Sequence, residues 1–377
     1  RKIRDEAPVR YDPGRRSWDV FRYDDVKTIL DDDETFSANP RKADDFEEPE
    51  GMGQGLIFDT MLFQDPPRHD ELRDVVDDAF QPRALADLEP EIRELATDLL
   101  DVAVDGVDRF DVVDEFAYPL PVIVIAQLLG VPADERDQFK EWSDTLVEAS
   151  SADEGAQEFM ERQQETQQEM ATYFLEMIAD RRENPQDDLM SRIVTAELDD
   201  GSRLSQEEVL GMCILLLIAG NITTTNLVTN AVRCFADADC FDEVRGDERA
   251  LTTAIEEVLR YRSPVQAMTR IATEDVTLRG ETIEAGDRIG VWMGAANRDE
   301  RQFDDPDAFR PDRSPNQHLG FGRGTHYCLG APLARLEAKV ALSELLDRLD
   351  GIELADAELE PTRSSFIYGV ESLPITF

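Results

Sequence analysis

A glycine-punctuated stretch around one cysteine decides how this chain is interpreted, and it reads Phe321-Gly322-Arg323-Gly324-Thr325-His326-Tyr327-Cys328-Leu329-Gly330. Its glycines let backbone amides approach a bound group closely and permit φ angles that other residues resist. Pro332 follows, and proline suits the first turn of a helix because its missing N–H costs nothing there. A helix start near Cys328 favours its thiolate over its thiol. The stretch therefore predicts a thiolate ligand of a metal, with amides directed at the sulfur.

The pattern Phe-Gly-x-Gly-x-His-x-Cys-x-Gly resembles the haem-binding loop of the cytochrome P450 family. The resemblance implies haem b (iron protoporphyrin IX) as the cofactor and Cys328 as the axial ligand of its iron. It also implies that Phe321, Gly322, His326 and Gly330 contact the haem. The alternative for a lone cysteine is an inert thiol buried in a turn, since free cysteines are commonly buried. A pattern of ten residues fits that alternative poorly.

A second motif lies near the start of a predicted helix, where His69 and Arg73 are four residues apart and share one helix face. Asp65, followed by two prolines, predicts the start of that helix. Taken alone, the two side chains would also suit an exposed helix. They match the His-x-x-x-Arg segment of the cytochrome P450 family. The resemblance implies that His69, Arg73 and, from a later strand, Arg270 bind the haem propionates.

The longest predicted helix begins with a capping box that runs from Ser205 to Glu208. An apolar run follows and leads into Ala219-Gly220-Asn221-Ile222-Thr223-Thr224-Thr225, where a glycine and three threonines lower the helix propensity. Threonine hydroxyls can bond to the carbonyl four residues earlier and bend or open a helix. Such residues inside a buried helix indicate a function rather than a packing role.

This segment resembles the oxygen-binding groove of the family, which usually reads Ala-Gly-x-(Asp or Glu)-Thr-Thr. The resemblance implies that Thr223 and Thr224 are catalytic and that Ala219 and Gly220 contact the haem. Ile222 departs from the pattern because it stands where the family usually has a carboxylic acid. Proton delivery would then depend on water and hydroxyl groups, or on another route.

Glu257 and Arg260 lie three residues apart on another predicted helix, a spacing that is ordinary for a surface ion pair. Together with Arg313, in the downstream sequence Phe-Arg-Pro-Asp-Arg, they resemble the buried Glu-Arg-Arg triad of the family. The implied role is structural, because the triad would hold the segment that delivers the cysteine loop. A bidentate arginine–carboxylate contact suits that purpose.

The resemblance also implies a set of substrate contacts that is largely apolar. Its members are Ala219, Thr223, Val265, Gln266 and Ile367. An apolar small molecule is the expected substrate, and a terpene, a steroid, a fatty acid and a macrolide all remain open.

The predicted fold is mainly α with a small β region, and the resemblance implies one cytochrome P450 domain over residues 1–377. Helical periodicity dominates from about 65 to 260, while strand-like pieces lie at about 1–60, 268–292 and 352–377. The family places its haem between the long central helix and the helix after the cysteine loop. Residues 140–185 correspond by position to its lid helices.

The net charge of −44 excludes some classes of partner. Nucleic acid is excluded because phosphate contacts need basic patches. So acidic a chain is typical of proteins from salt-loving organisms, haloarchaea among them, and predicts a fold that needs high salt. The longest apolar run, from Val209 to Ile222, is too short to span a bilayer. We therefore expect a cytoplasmic protein without a transmembrane segment.

The expected activity is monooxygenation, with electrons from a separate ferredoxin and its reductase because the chain has no flavin or reductase segment. Arg323 and Arg335, which flank the cysteine loop, are candidates for the ferredoxin contact or else surface or structural arginines. A peroxide-driven oxygenase, a non-catalytic haem-thiolate binding or sensing protein and a haem-free scaffold are the alternatives. The sequence offers neither a zinc site around Cys328 nor the nucleophile elbow of a hydrolase.

Overall fold

The structure is a computed structural model that describes residues 1–47, 56–135, 156–198, 200–355, 358–364 and 366–377, with positions 138, 139, 142 and 145. Its helices are α1 (Lys2–Glu6), α2 (Tyr23–Asp31), α3 (Arg68–Asp77), α4 (Pro82–Leu85), α5 (Glu89–Ala103), α6 (Pro119–Leu129), α7 (Ala156–Glu183), α8 (Leu189–Thr195), α9 (Gln206–Ala238), α10 (Phe241–Val244), α11 (Glu248–Tyr261), α12 (Met293–Ala296) and α13 (Ala331–Arg348).

The strands are short and lie mostly towards the two ends of the chain. They are β1 (Val9–Asp12), β2 (Ser17–Val20), β3 (Phe36–Ser37), β4 (Arg109–Asp111), β5 (Met268–Ala272), β6 (Val276–Leu278), β7 (Glu281–Ile283), β8 (Arg288–Val291), β9 (Glu353–Leu354) and β10 (Pro374–Thr376). The predicted class, mainly α with a small β region, is confirmed.

The long helix α9 forms the centre of the helical core. It packs against α6, α7, α11 and α13, and apolar side chains from all of them join one buried cluster. Its start is the predicted capping box, in which the Glu208 N–H donates to Ser205 Oγ at 3.1 Å and the Ser205 N–H donates to Glu208 Oε2 at 2.8 Å. Reciprocal capping fixes where the helix begins, and hence which residues reach the middle of the protein.

The helix α9 has 33 residues and is therefore longer than the apolar run from Val209 to Ile222. Within the part of the chain that the structure describes, it is the one helix long and apolar enough to cross a membrane, yet 61% of its most apolar window is buried inside the protein. That burial is the packing of a core helix rather than of a lipid-facing one.

The strand-like pieces predicted at about 1–60 and 268–292 join in one sheet. Strands β5 and β8 pair antiparallel, β6 and β7 form a separate hairpin, and β1, β2 and β3 complete a five-stranded sheet of order β1-β2-β8-β5-β3. Within it β2 lies parallel to β8. Pairing between strands hundreds of residues apart leaves no local signal, which is why the sequence predicts the strands but not their order.

One local expectation needs revision. The helix α3 begins at Arg68 without a side-chain cap, and the Asp65 carboxylate accepts hydrogen bonds from the Ala38 N–H and the Ser37 hydroxyl instead. Of the segment 140–185, predicted to correspond to the lid helices, the part before residue 156 lies outside the described residues except for positions 142 and 145.

Candidate active site

A cavity of about 500 Å³ separates α9 from the cysteine loop and α13. Its wall is predominantly apolar, with side chains from α6, α9, β5 and the short helical turn Met61–Phe63. The predicted site residues that line it are His69, Arg73, Ala219, Gly220, Thr223, Thr224, Val265, Arg270, Phe321, Gly322, His326, Cys328, Gly330 and Ile367. Segments far apart in sequence therefore meet at one place.

The cysteine loop is fixed by its own backbone and by a neighbouring helix end. The Cys328 N–H donates to the Phe321 carbonyl at 2.9 Å. Gly322 and Gly324 adopt positive φ angles of 69° and 68°, as expected. A Cβ on Gly324 would lie 2.3 Å from the carbonyl oxygen of Leu30, at the end of α2, so only glycine permits this approach.

Gly330 serves the loop in a different way from the other two glycines. Its φ is −77°, which any residue can adopt, and a Cβ there would meet no described atom within 4 Å. Because Gly330 lines the cavity, the absence of a side chain there leaves space for a bound molecule next to the backbone.

Burial and the helix start act in opposite directions on the pKa of the Cys328 thiol. Burial raises the pKa of the Cys328 thiol, and hydrogen bonds from the Gly330 and Ala331 amides and the charge of Arg73 offset this only in part. Ligation of a metal ion deprotonates a thiol outright, so the geometry suits a thiolate once a metal is bound. The amides of Gly330 and Ala331 then donate to the sulfur.

One end of the cavity holds a buried arginine and a partly buried histidine whose polar atoms are incompletely satisfied by the described residues. Arg270 is 4% exposed, burial lowers its pKa to about 10, and its one side-chain bond within the described residues is to the Thr269 carbonyl. The His326 Nε2 is buried and has no partner among the described residues. Burial lowers the pKa of His326 to about 3, and the charge of Arg270 adds to this. Such groups suit the carboxylates of a bound molecule.

The other two predicted propionate contacts stand beside these residues. The ring of His69 lies with its centroid 4.4 Å from that of His326. Arg73 donates from Nη1 to the Tyr327 carbonyl at 2.8 Å, which ties α3 to the cysteine loop.

The opposite wall of the cavity carries the threonines of α9. Thr223 Oγ1 donates to the Ala219 carbonyl at 2.8 Å. Thr224 is buried and also lines the cavity, whereas neither Asn221 nor Ile222 does. The helix runs without a break through this segment, so the back-bonding threonine does not interrupt it.

A buried carboxyl group that sequence reasoning missed lies on α13 beside these threonines. Glu337 lines the cavity, burial raises its pKa to about 8, and a hydrogen bond with Thr224 partly offsets that rise. The helical periodicity held a signal, because Glu337 follows Ala334 at three residues and precedes Ala341 at four on the buried face of α13. A carboxyl group on such a face has few ordinary explanations.

The predicted triad forms as the sequence suggests. Arg260 donates from Nε and Nη2 to both oxygens of Glu257 at 2.7 Å, and Arg313 Nε lies 3.0 Å from the same carboxylate. Arg260 also donates to the carbonyls of Asn297 and Pro306. The network therefore clamps α11 to the chain that leads into the cysteine loop.

Gln266 differs from its predicted surroundings, and the two arginines that flank the cysteine loop have partners within the chain. Gln266 does not line the cavity, because its side chain is directed to the Ser263 carbonyl at 2.6 Å and packs against Gly294. Arg323 pairs with Asp31 at 2.7 Å, and Arg335 pairs with Glu256 at 2.7 Å. Both arginines are thus engaged within the chain, and the guanidinium of Arg335 lies 4.5 Å from the ring centroid of Phe321.

Comparison with known proteins settles the family. A model described as Cytochrome P450 matches residues 248–369. The chain is 43% identical over 379 residues to Cytochrome P450 109 of Bacillus spizizenii, covering 99% of this chain and 90% of that one. The chain belongs to the cytochrome P450 family. It is 39% identical to erythromycin C-12 hydroxylase of Saccharopolyspora erythraea, with 99% and 92% coverage.

Solved structures of cytochromes P450 agree in fold. Substrate-free CYP109E1 from Bacillus megaterium superimposes with a TM-score of 0.92 at 42% identity, covering 100% of this chain and 96% of that one. The same protein in complex with corticosterone gives a TM-score of 0.89. The predicted P450 fold and a monooxygenase activity are confirmed, which sets aside the non-catalytic and haem-free alternatives. These relatives come from Bacillus and Saccharopolyspora and give no support to a halophilic source.

Family membership makes haem b, with a cysteine thiolate on its iron, the cofactor. The residues present fit it in three independent respects. A cysteine lines the cavity with two amides on its sulfur. At one end, among the described residues, a buried arginine has no contacting carboxylate and a buried histidine nitrogen has no hydrogen-bond partner. Gly330 leaves open space on the cavity side.

Proposed function

We propose that the protein inserts one oxygen atom of O2 into an apolar small molecule held in the cavity between α9 and the cysteine loop, with the whole chain acting as one catalytic domain. When bound, the haem supplies the activation of dioxygen and the oxygen transfer. The single observation that carries the proposal is the placement of Cys328 and the threonines of α9 on opposite walls of one apolar cavity.

The predicted haem-binding residues then have defined tasks. Cys328 would ligate the iron, with the Gly330 and Ala331 amides donating to its sulfur. Arg270 and His326, with His69 and Arg73 beside them, would bind the propionates. A charge-assisted bond to a guanidinium is among the stronger hydrogen bonds in proteins.

A carbon monoxide difference spectrum of the reduced protein tests this assignment. We expect the Soret band of a thiolate-ligated haem, and we expect Cys328→Ala to abolish it. Cys234→Ala is the matched control, because Cys234 is buried away from the cavity and should leave the band unchanged. A thiolate band that survives in Cys328→Ala would refute the assignment.

The substrate is proposed to be apolar and to lie against Val265, Ile367 and the turn Met61–Phe63. These residues line the cavity without offering a charge. Relatives have been solved with corticosterone and with erythromycin B, so steroids and macrolides are reasonable members of a first panel. Spectral shifts on titration with terpenes, steroids, fatty acids and macrolides would separate the classes, and a panel without any shift would contradict an apolar ligand.

Electrons are proposed to come from a separate ferredoxin and reductase in the cytoplasm. The cysteine loop presents Tyr327 at the surface, 40% exposed, with Arg323 beside it. Because Arg323 already pairs with Asp31, its contribution to docking would be modest. The proposed docking surface is tested by the rate of reduction by ferredoxin in wild type, in Arg323→Gln and in the distant control Arg203→Gln. Equal rates in all three would show that Arg323 does not contact the ferredoxin.

A peroxide-driven oxygenase is the second candidate, because the position of the usual acid is occupied by Ile222. Hydrogen peroxide supplies both oxygen and protons, so it would not need that acid. Turnover with peroxide but none with ferredoxin and reductase would select this alternative.

The acidic surface supports a further proposal, that high salt stabilises the fold. The chain has 83 acidic against 39 basic residues, and salt screens the resulting repulsion. The denaturation midpoint should rise between dilute and molar salt. A midpoint that stays constant would exclude the requirement.

A further inference from the structure

A short segment near the end of the chain, residues 366–369 and called the terminal turn below, forms part of the cavity wall. Phe366 and Ile367 both line the cavity. Ile367 forms an antiparallel bridge with Val265, which lines the cavity as well. Because the substrate proposed above lies against Val265 and Ile367, the position of the terminal turn affects how that substrate is held.

The backbone pairing that holds the terminal turn is short. The bridge consists of two bonds, in which the Gln266 N–H donates to the Phe366 carbonyl at 2.7 Å and the Tyr368 N–H donates to the Pro264 carbonyl at 2.8 Å. An isolated pair of strands is marginally stable in water even when it is longer than this. The terminal turn therefore needs contacts from other parts of the protein to keep one position.

The central helix α9 supplies such a contact through Asn230, a fully buried residue that does not line the cavity. Its Nδ2 donates to the Tyr368 carbonyl at 3.0 Å and to the Arg262 carbonyl at 3.1 Å. Its Oδ1 accepts a bond from Arg233 Nη1 at 3.3 Å. The amide nitrogen thus bonds to both paired segments, the terminal turn and the segment that leads into Val265.

Burying an amide is costly unless its hydrogen bonds are made, and asparagine lowers helix propensity. The neighbouring residue Thr229 is equally buried, but its hydroxyl donates to the Thr225 carbonyl within α9 at 3.0 Å. Asn230 differs because both of its donor bonds leave the helix. Its amide is therefore suited to hold the paired segments rather than to complete α9.

The terminal turn also touches α9 at Gly369. A Cβ on Gly369 would lie 1.4 Å from Asn226 Oδ1, so a residue with a side chain fits there only if the turn or Asn226 moves. Asn226 lies one helical turn before Asn230, and its Nδ2 donates to the Ile222 carbonyl at 2.7 Å. Two asparagines of α9 therefore define how closely the terminal turn approaches the helix.

A separate contact supports Phe366 at the start of the terminal turn. The rings of Phe366 and Trp292 stack with their centroids 6.3 Å apart and an angle of 26° between their planes. That contact acts on the Phe366 side chain, whereas the Asn230 bond acts on the carbonyl of Tyr368, next to Ile367. The position of Ile367 therefore depends chiefly on α9.

We propose that Asn230 is a positioning residue that determines which carbon of the substrate faces the threonines of α9. Asn230 follows Thr223 by seven residues, about 10 Å along the helix axis, and α9 is continuous between them. The helix therefore fixes the distance between the threonine wall and the side chain of Ile367, against which the substrate lies. This inference rests on the proposed monooxygenase function and concerns its regioselectivity.

Hydrogen exchange of the holoprotein, measured at single amides, tests the positioning without any turnover. Asn230→Leu keeps the branching of the side chain and removes both donors. The amides of Tyr368 and Gln266 should then exchange about tenfold faster, the usual effect of one lost hydrogen bond. Thr229→Val is the matched control, because it removes an equally buried polar group that bonds only within α9, and it should leave both amides unchanged. Wild-type rates at both amides in Asn230→Leu, or a rise of equal size throughout the chain, would overturn the proposal.

A series of 1-alkylimidazoles with increasing chain length measures the effect on the cavity, since the imidazole binds haem iron and the alkyl chain occupies the cavity. Dissociation constants come from absorbance titrations of the holoprotein. In Asn230→Leu the affinity for the longest chains should rise about tenfold, as expected when an apolar pocket gains room for one methylene. Identical affinities in wild type and Asn230→Leu over the whole series would contradict a role of Asn230 in shaping the cavity.

Gly369→Ala displaces the terminal turn without altering Asn230, and it also serves if Asn230→Leu fails to fold. Its affinities for the long-chain imidazoles should differ from those of wild type, because the added methyl group collides with Asn226 Oδ1. Asn226→Ala combined with Gly369→Ala removes that oxygen and should restore the wild-type affinities. Wild-type affinities in Gly369→Ala alone would show that the turn does not set the size of the cavity.

The product distribution tests the regioselectivity itself, with a substrate chosen from the panel of spectral shifts. Asn230→Leu should change the ratio of products oxidised at different carbons by about tenfold while oxidation continues, and Thr229→Val should keep the wild-type ratio. An unchanged ratio in a variant with a loosened terminal turn would show that Asn230 only holds the fold. A protein without oxygenase activity would refute the proposed function, whereas the exchange rates and imidazole affinities would still decide the role of Asn230.

Discussion

Two buried arginine sites of this protein differ in how their charge is met. Arg260 is fully buried beside Glu257, donates to both of its carboxylate oxygens, and shares that carboxylate with Arg313. Arg270 is nearly as buried, yet within the described residues its guanidinium bonds only to a backbone carbonyl. The first site holds a carboxylate in contact with its arginines, whereas the second has no contacting carboxylate among the described residues.

The difference separates a residue that holds the fold from one that awaits a ligand. A buried charge without a partner is costly, and it persists only where something else satisfies it. The triad meets that requirement by itself and clamps the segment before the cysteine loop. Arg270 meets it when a carboxylate enters the cavity, which is the role proposed for a haem propionate.

The largest loss of stability should come from removing the carboxylate of the Glu257–Arg260–Arg313 triad. Glu257→Gln leaves two buried guanidinium groups without a carboxylate, and such a loss costs about 3–5 kcal/mol of unfolding free energy. Denaturant unfolding of the holoprotein measures it. Glu197→Gln, at the exposed Arg203–Glu197 pair, is the matched control and should cost less than about 1 kcal/mol. Equal losses in both variants would mean that the triad is no more than a surface pair.

Unfolding free energy measured as a function of pH tests a third, partly buried carboxylate. Glu256 is shared by His318 and Arg335 behind the cysteine loop. Burial alone would raise its pKa, but the His318 and Arg335 hydrogen bonds outweigh burial and lower the pKa to about 2. Because the folded-state pKa is lowered, the contribution to stability is full above pH 4.5 and is lost as the pH falls towards 2.

That contribution amounts to about 3 kcal/mol for a shift from 4.5 to about 2. The stability gap between wild type and Glu256→Gln should therefore narrow steadily over this window. A gap that stays constant from neutral to acidic pH would contradict the assigned shift.

Arg270→Leu removes the buried arginine that has no contacting carboxylate, and it should affect the haem-bound protein and the apoprotein differently. Haem should dissociate faster by the equivalent of about 1.5–3 kcal/mol, the usual worth of a hydrogen bond to a charged group. The apoprotein should be no less stable, since an unpaired buried charge is removed. Haem transfer to a scavenging globin measures the first effect and thermal unfolding the second. An apoprotein destabilised as strongly as the triad variant would place Arg270 with the fold-holding residues.

The smallest effect is expected at the surface. Arg323→Gln removes the pair with Asp31, both partners being well exposed, and should change stability by less than about 1 kcal/mol. Thermal unfolding in dilute and in molar salt checks this, since salt should erase the difference. A loss that persists in molar salt would show that the pair acts as a buried one.

The sequence predicted the parts of the site that a short motif carries, and missed those that depend on distant packing. The cysteine loop, the Glu257–Arg260 pair and the His69–Arg73 pair each repeat a spacing that belongs to one segment. The direction of the Gln266 side chain depends on Gly294, and the environment of Glu337 depends on Thr224 from another helix. The parallel pairing of β2 with β8 was missed for the same reason.

The close approach of Gly324 to Leu30 has a consequence for how the protein is made. Arg323 and Thr325 bond to Asp31 and Asp33, partners that lie 292 positions earlier in the sequence. The cysteine loop thus packs against residues at the end of α2 that leave the ribosome long before the loop does. The iron ligand Cys328 is therefore synthesised long after the residues against which its loop packs. A nascent chain stalled before the loop would contain Leu30, Asp31 and Asp33 but could not yet ligate the haem iron.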